Sequence, residues 1–367
     1  MLRGAIIGLG NVAVHGHLPT WLNHPKAGIV AAADSVAARR TEFERLVPGG
    51  RWYESADELL TGEKLDFVDI CTPPATHALL IRAALQRGLH VLCEKPLVCR
   101  ALELAELVEL VDKTGLVLYS VHNWPHAPIL RQVEDLLRQH EIGEVRRCRW
   151  QTLRTQPAIT GDGQGDNWRT NPVMAGGGIL FDHGWHVFSI LPRWFGASPL
   201  RISAQLETRQ HTQYRLEDTA TVRLQYPRAT AEIFLTWAAD KRLTWAELEG
   251  TKGTIRVEDG EVVLSSPAAG SERRWTFPAL SAGSHHPEWF GGVVTEFLAA
   301  VRNTMSRGNL PEASLCVTLL ELAQESNRQG CVWLPIPPAA SSEKAAGLQR
   351  TPHAICDDQY DRASQPR

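Results

Sequence analysis

The sequence has no marked excess of either charge. Its 38 Lys and Arg residues are balanced by 41 Asp and Glu residues, which leaves a formal net charge of −3. A surface that binds a nucleic-acid backbone needs clustered positive charge. We therefore expect no nucleic-acid partner.

Long apolar runs are also absent. No hydrophobic stretch approaches the roughly 20 residues that span a bilayer. The first nine residues run directly into an apolar strand pattern and do not resemble a signal peptide. We expect no membrane partner and a cytoplasmic location.

Paired cysteines are the third absence. The seven cysteines are odd in number and scattered, and no Cys-x-x-Cys pair indicates zinc or a redox dithiol. We expect reduced, mostly buried thiols and no metal.

The first pattern that is present is an alternation of short apolar runs with helical segments in residues 1–122. The apolar runs cover residues 4–8, 29–33, 51–53, 67–71, 90–93 and 116–121, and the helical patterns cover 36–46, 75–87 and 101–113. Runs that are apolar on both faces suit parallel strands covered by helices. This alternation predicts an α/β fold that begins with a Rossmann domain built on a doubly wound parallel sheet.

A different pattern marks residues 123–338 as a second domain. Seven strand-like runs, at 147–153, 202–207, 219–225, 230–236, 244–249, 253–257 and 262–265, follow one another as in an antiparallel meander. Apolar spacing predicts two final helices, near 290–301 and 312–328, that pack back onto the body. The broad sheet favours a homo-oligomer, dimer or tetramer, that buries one of its faces. Residues 339–367 have too little apolar content to order, so we expect a disordered tail.

A candidate dinucleotide site follows the first predicted strand. Residues 8–13 read Gly-Leu-Gly-Asn-Val-Ala, in which glycines permit a tight turn and close approach of the backbone to a pyrophosphate. Asp34 ends the second predicted strand, where a carboxylate binds ribose hydroxyls and disfavours a 2′-phosphate. This predicts NAD as cofactor. Arg39 and Arg40 leave NADP as an alternative, although a solvated helix face explains them better.

Two further segments lie at the predicted carboxyl edge of the same sheet, where doubly wound folds bind ligands. Cys71-Thr72-Pro73-Pro74, with His77 after it, follows one strand, and Glu94-Lys95-Pro96 follows the next. An ordinary helix start and an inert surface lysine are the simpler interpretations of these segments taken singly.

Together these elements resemble the Gfo/Idh/MocA family of oxidoreductases, named for glucose-fructose oxidoreductase and inositol dehydrogenase. The matching residues are 8–13, Asp34, TPPATH at 72–77, EKP at 94–96 and GGGILFDHGWH at 176–186, and the resemblance covers about residues 2–337. It implies a Rossmann domain followed by an α/β domain with a large open antiparallel sheet. It also implies hydride transfer between a nicotinamide and a hydroxyl-bearing carbon of a sugar, sugar derivative or cyclitol.

By the same resemblance, Lys95, Asp182 and His186 are the predicted catalytic residues. Asp182 and His186 are four positions apart, so a helix would project both from one face. A histidine titrates near neutrality and can accept the hydroxyl proton, while the cationic Lys95 stabilises charge on the substrate oxygen or relays the proton itself. Asp182 would orient the histidine or hold a substrate hydroxyl.

The resemblance and the positions at strand ends also predict the binding residues. Substrate contacts are expected from Trp124, Trp168, Arg169 and His183. The segment 122–126, His-Asn-Trp-Pro-His, departs from the basic and aromatic segment usual in the family, which leaves substrate preference open. Cofactor contacts are expected from Gly8, Gly10, Asn11, Val12, Ala13, Asp34, Thr72, Pro73, Pro74, His77, Glu94, Lys95 and Asn123.

A metal centre is the alternative for some of the histidines. His183 adjoins Asp182 and His186, but the sequence offers no clear fourth ligand and hydride transfer needs no metal. We expect no metal-like partners near the other histidines considered, which are His15, His17, His285 and His286.

Three functions are compatible with the sequence. The leading one is an NAD-dependent dehydrogenase. The second is an enzyme that oxidises and re-reduces its sugar so that glycoside cleavage, elimination or epimerisation results, and it would accumulate no NADH. The third is a regulator that binds nicotinamide or sugar without turnover, for which the set of Lys95, Asp182 and His186 has no evident use.

Overall fold

The structure is a computed structural model that describes residues 1–159, 167–267, 270, 272–283 and 285–338. Residues Met1–Ile336 form one compact unit. The predicted disorder of 339–367 lies outside the described residues. The predicted domain boundary between residues 122 and 123 stays a prediction.

A six-stranded parallel sheet occupies the N-terminal part of the chain. Its strands run in the order β3-β2-β1-β4-β5-β6. The neighbours of β1 are β2 on one side and β4 on the other, so strand order reverses there, and doubly wound sheets bind ligands at such a point. The strands are β1 (Leu2–Ile7), β2 (Ala27–Ala33), β3 (Arg51–Tyr53), β4 (Phe67–Ile70), β5 (His90–Cys93) and β6 (Leu118–Ser120).

Helices cover both faces of this sheet, which explains why its strands are nearly continuous apolar runs. All four residues of β4 are buried, including Asp69. The helix that precedes β6 ends at Gly115, whose φ of 70° is a left-handed cap that favours glycine. The sequence did not predict the short α3. The helices are α1 (Leu18–Leu22), α2 (Arg40–Leu46), α3 (Ala56–Gly62), α4 (His77–Gln86) and α5 (Ala101–Thr114).

A nine-stranded sheet follows, in the order β14-β13-β12-β11-β7-β10-β9-β8-β15. All seven predicted strands are present, and β14 and β15 were not predicted. The sheet is mostly antiparallel, but the simple meander is wrong, because β7 lies in the centre and pairs in parallel with β10. The strands are β7 (Val145–Leu153), β8 (Arg201–Glu207), β9 (Thr219–Gln225), β10 (Thr230–Thr236), β11 (Leu243–Gly250), β12 (Thr254–Glu258), β13 (Glu261–Ser265), β14 (Arg273–Thr276) and β15 (Leu334–Pro335).

The two final helices pack back onto the body, as their apolar spacing predicts. Phe290 and Phe297 of α9 pack against Trp21 and Phe67 on the face of the parallel sheet. Helix α10 lies beside β8 and α8. The remaining helices are α6 (Pro128–Arg138), α7 (Pro172–Ala175), α8 (Trp185–Phe195), α9 (Pro287–Arg302) and α10 (Leu310–Arg328).

Two further expectations concern the state of the cysteines and the absence of a membrane span. Of the six cysteines in the described residues, four are buried, Cys99 is half-buried and Cys331 is exposed, and all six are free thiols. Among the described helices, none combines the length and the hydropathy that a bilayer crossing requires.

Candidate active site

A cavity of about 420 Å³ opens at the carboxyl edge of the parallel sheet. It is lined by segments that follow β1, β4, β5 and β6 and by residues next to the ends of β7, β10 and β11. The volume lies in the range typical of small-molecule sites. The cavity is therefore bounded by residues of both sheets.

Lys95 and Asp182 meet in this cavity. The Lys95 Nζ donates to the backbone carbonyl of Asp182 over 2.7 Å and lies 3.2 Å from Oδ1 of its carboxylate. Each side chain is 16% exposed. Burial alone would raise the pKa of Asp182, but Lys95, His183 and Arg169 outweigh it and hold that pKa well below its usual range. The carboxylate stays ionised beside the amine.

His186 lies in the same cavity, in the first turn of α8. Its ring stacks on Trp124, with centroids 4.8 Å apart and an angle of 13° between the planes. Burial, and then the charge of Lys95, lower its pKa well below 6.5. The imidazole is therefore neutral near pH 7, and its buried Nδ1 has no hydrogen-bond partner in the described part of the chain.

A glycine segment and Glu217 place Asp182. The backbone N–H groups of Gly178 and Leu180 donate to the Glu217 carboxylate, over 2.7 and 3.3 Å. A Cβ on Gly178 would come within 1.9 Å of the Glu217 carbonyl oxygen, so only glycine fits. A π-helical turn, Leu180–Gly184, then carries Asp182 and leads into α8. The sequence predicts one regular helix here, whereas the structure has a π turn followed by α8. Both Asp182 and His186 nevertheless line the cavity.

The Gly-Leu-Gly-Asn-Val-Ala segment forms the loop after β1. Gly8 has a φ of 89°, and an added Cβ would lie 2.9 Å from the Cys71 backbone, so the fold itself requires this glycine. A Cβ on Gly10 would meet no atom within 4 Å. Asn11 and Val12 line the cavity, whereas Ala13 is buried in the core. The open space over Gly10 fits the close approach of a dinucleotide pyrophosphate.

Asp34, which follows β2, is hydrogen-bonded to this loop. Its Oδ2 accepts a hydrogen bond from the Leu9 backbone N–H, and its Oδ1 accepts one from Val36. Arg39 also donates to Oδ2, over 2.6 Å, while Arg40 pairs with Glu44. Both carboxylate oxygens of Asp34 are thus engaged by protein donors, and each of the two arginines is paired with a carboxylate.

The segments after β4 and β5 contribute unequally to the cavity. Thr72, Pro74, Glu94 and Pro96 line it. His77 does not, because it is fully buried and its ring nitrogens lie 2.8 Å from the Thr72 carbonyl oxygen and 2.9 Å from that of Pro96. His77 ties the two segments together, so we propose a structural role for it in place of the predicted cofactor contact. Pro73 is likewise not a lining residue.

The expectation that His17 lacks metal-like partners is wrong. Its Nδ1 lies 2.9 Å from Asp69 Oδ2 and 3.2 Å from Cys71 Sγ, and its Nε2 lies 3.1 Å from Glu94 Oε1. Burial opposes protonation of His17, but Asp69 and Cys71 raise its pKa well above 6.5. A protonated His17 pairs with both carboxylates, Asp69 on one side and Glu94 on the other.

The residues predicted to contact substrate also line the cavity: Trp124, Trp168, Arg169 and His183, with Asn123 beside them. His183 Nε2 lies 3.6 Å from Asp182 Oδ2, and burial lowers the pKa of His183 to about 3. Several lining residues carry a buried polar atom that has no hydrogen-bond partner among the described residues, as ligand sites often do. They are Asn123, Arg169, His183, His186, Trp237 and His285.

Sequence reasoning missed Arg154 and Arg242. Leu153 pairs with Thr236 on one side and with Leu243 on the other. The next residues beyond these pairs, Arg154, Trp237 and Arg242, therefore meet at one sheet edge and line the cavity. Arg154 directly after a strand was the available signal, but the parallel pairing of β7 with β10 is not visible in the sequence.

Two family models match the chain. Residues 2–122 match the oxidoreductase family with an NAD-binding Rossmann fold, and residues 130–256 match the GFO/IDH/MocA C-terminal domain.

Among curated proteins, D-apiose dehydrogenase of Paraburkholderia graminis is 27% identical over 70% of this chain and 67% of its own length. D-xylose 1-dehydrogenase (NADP(+)) 2 of Haloferax volcanii is 29% identical over 62% of this chain and 70% of its own length. The matches thus span about two thirds of these relatives.

A solved structure of levoglucosan dehydrogenase with NADH and levoglucosan superposes with a TM-score of 0.78, at 19% identity, over 92% of this chain and all of that one. At this identity the likeness shows a shared fold.

Proposed function

Because the chain belongs to the GFO/IDH/MocA family of NAD-binding oxidoreductases, we propose that it is a dehydrogenase acting on a hydroxyl-bearing carbon of a sugar, sugar derivative or cyclitol. The observation that carries the proposal is the meeting of Lys95, Asp182 and His186 in one cavity beside the loop after β1. The names of two curated relatives, an apiose and a xylose dehydrogenase, support the sugar substrate.

The three residues have complementary roles in alcohol oxidation. NAD, when bound, supplies the hydride acceptor. The neutral His186 takes the hydroxyl proton, and its low pKa makes it a weak base that needs an acidified hydroxyl. The Lys95 ammonium supplies this by stabilising negative charge on the substrate oxygen, with larger effect in a cavity shielded from water. Asp182 holds the ammonium in place through its carbonyl and carboxylate oxygens.

The cofactor residues support NAD over NADP. The Asp34 carboxylate would repel a 2′-phosphate, and Arg39 already pairs with that carboxylate. Gly10, Asn11 and Val12 would hold the pyrophosphate, while Thr72, Glu94, Lys95 and Asn123 face the cavity where a nicotinamide would lie.

We also propose that the protein is a cytoplasmic homo-oligomer assembled through the nine-stranded sheet. Half-buried Phe234 and Trp245 on the outward side of β10 and β11 support this, since aromatic residues are enriched at interfaces. Light scattering after gel filtration measures the oligomer size, and a monomer would contradict the proposal. On this view residues 1–122 bind cofactor, and 123–338 bind substrate and assemble the oligomer.

A screen of sugars, sugar acids and inositols with NAD and NADP, followed by absorbance of the reduced nicotinamide, tests the activity. We expect NADH in stoichiometric amounts with product from at least one compound. His186→Asn should lower kcat by about 10²-fold or more, as loss of a general base does. Product formed without NADH would favour the cofactor-recycling enzyme, and NAD binding without any turnover would favour a regulator.

A further inference from the structure

The cavity holds more positive than negative charge among its described residues. Four Lys and Arg side chains line it, Lys95, Arg154, Arg169 and Arg242, against two carboxylates, Glu94 and Asp182. Both carboxylates are already engaged, Glu94 with His17 and Asp182 with Lys95. The lining histidines add no negative charge, so an excess of guanidinium groups remains.

Arg154 is the most buried of these arginines, at 3% exposure. It donates to the carbonyl oxygens of Leu153 and Leu243, over 2.8 and 3.0 Å, and to the Thr244 hydroxyl over 3.2 Å. Within the described ranges, no carboxylate lies within ion-pair distance of it. Burial, and then repulsion from Arg242, lower its pKa to about 10, so it stays charged at neutral pH. A buried charge of this kind is costly unless an anion compensates it.

Arg242 likewise has no carboxylate within ion-pair distance among the described residues, whereas Arg169 makes only a long ion pair with Asp182. Arg242 is exposed and donates to the carbonyl oxygens of Ser281 and Gly283, over 3.1 and 3.0 Å. Arg169 lies over the Trp168 ring, and its Nε is 4.0 Å from Asp182 Oδ1, with no hydrogen-bond partner in the part of the chain described. Three guanidiniums thus reach the cavity, and a neutral sugar would leave the charges of Arg154 and Arg242 uncompensated.

We propose that the substrate is a sugar acid whose carboxylate binds between Arg154 and Arg242, with Arg169 as a further contact. Each of these two guanidiniums has N–H donors beyond those that bind protein oxygens. A carboxylate has two acceptor oxygens and can bind both guanidiniums at once. Planar guanidiniums match a carboxylate in geometry as well as charge. Both arginines adjoin the nine-stranded sheet and line the same cavity as Asn11 and Val12 of the loop after β1. The inference rests on the proposed dehydrogenase function and names its substrate class.

Calorimetric titration of the NAD-loaded protein tests the carboxylate without relying on turnover. The acids are D-gluconate, D-glucuronate and D-galacturonate, and their neutral counterparts are sorbitol, D-glucose and D-galactose, with D-glucose 6-phosphate as a phosphate probe. We expect at least one acid to bind about tenfold or more tightly than its counterpart, as charge-assisted hydrogen bonds allow. Equal binding of all acids and neutral compounds overturns the inference, and so does tightest binding of the phosphate.

Variants locate the effect. Arg242→Gln changes an exposed side chain, so folding should survive, and we expect it to weaken acid binding about tenfold or more while NAD affinity is unchanged. Arg154→Lys keeps the charge but loses the planar fork, and should weaken the acid as well. Arg228→Gln, on an exposed arginine outside the cavity lining, is the matched control. If Arg242→Gln weakens NAD and leaves the acid unaffected, the arginine serves the cofactor and the inference fails.

Parallel measurement of NADH separates this inference from the proposed function. If neutral sugars yield NADH and the acids bind no more tightly than their neutral counterparts, the dehydrogenase function is supported and the inferred acid substrate is overturned. Tight acid binding without NADH from any compound supports the acid site and counts against the dehydrogenase.

Discussion

Lys95 and Asp182 lie 87 positions apart in the chain, yet the Lys95 Nζ donates to the Asp182 backbone carbonyl over 2.7 Å. The same amine lies 3.2 Å from the Asp182 carboxylate. This contact joins the end of a strand of the parallel sheet to the π turn before α8. It fixes the amine at the cavity.

Replacing Lys95 tests the importance of this contact. Lys95→Met should lower kcat by about 10²-fold or more, because the charge on the reacting oxygen loses its stabilising cation. NAD affinity should change little. Steady-state kinetics and NAD titration measure the two effects, with Lys113→Met on the exposed face of α5 as control. A variant that keeps kcat within about threefold of the parent would remove Lys95 from the mechanism.

The two glycines of the loop after β1 should separate folding from cofactor binding. Gly8→Ala places a Cβ against the Cys71 backbone at a φ of 89°, so we expect a loss of stability of about 1–3 kcal/mol. Gly10→Ala has free space and should keep its melting temperature, while NAD affinity falls. Thermal unfolding and NAD titration distinguish these outcomes.

Gly291→Ala in α9 is the control for both glycine variants, since its Cβ would also meet no atom within 4 Å. As a Gly→Ala change inside a helix, it should raise stability by about 0.5–1 kcal/mol and leave NAD affinity unchanged. Equal NAD affinity in Gly10→Ala and the parent would show that the space over Gly10 is not used by the cofactor.

Asp34 should govern cofactor preference. Asp34→Ser removes the charge that disfavours a 2′-phosphate and releases Arg39 to pair with one. The ratio of kcat/KM for NAD to that for NADP should fall about tenfold or more. Arg40→Gln, which breaks only the pair with Glu44, should leave the ratio unchanged. A gain for NADP that persists in the double variant Asp34→Ser with Arg39→Gln would mean that Arg39 is not the new partner.

His122 should make the fold sensitive to acid. Its ring stacks on Trp185, both ring nitrogens lack partners among the described residues, and burial lowers its pKa to about 3. Above pH 6.5 the folded and unfolded states are both neutral at this residue. Below pH 6.5 only the unfolded state takes the proton, so stability falls as the pH drops toward 3.

At pH 5, which is 1.5 pH units below the unfolded-state pKa of 6.5, the loss of unfolding free energy is about 1.36 kcal/mol per pH unit, or about 2 kcal/mol in all. His122→Phe should therefore reduce the loss of unfolding free energy between pH 7 and pH 5 by about that amount. Urea unfolding at the two pH values measures it. His140→Asn, on an exposed histidine, should leave the difference as in the parent, and an unchanged difference in His122→Phe would contradict the prediction.

Much of the parallel sheet was predictable because its signals are local. Continuous apolar runs such as Phe67–Ile70 predict buried strands, and the glycine pattern after the first of them marks the ligand edge. The short helix Ala56–Gly62 was missed, since seven residues give too weak a periodicity. The resemblance to a family singled out Lys95, Asp182 and His186, and the structure brings all three into one cavity.

The sequence by itself determined the parallel-strand rhythm, the glycine loop and the acid at Asp34, because each depends on residues near one another in the chain. Tertiary structure alone decided that Arg154, Trp237 and Arg242 share one edge, since the parallel pairing of β7 with β10 and the antiparallel pairing with β11 set that register. It also decided that His17 lies between Asp69 and Glu94. Contacts between distant segments depend on how strands pair and helices pack, and no short window of sequence contains that information.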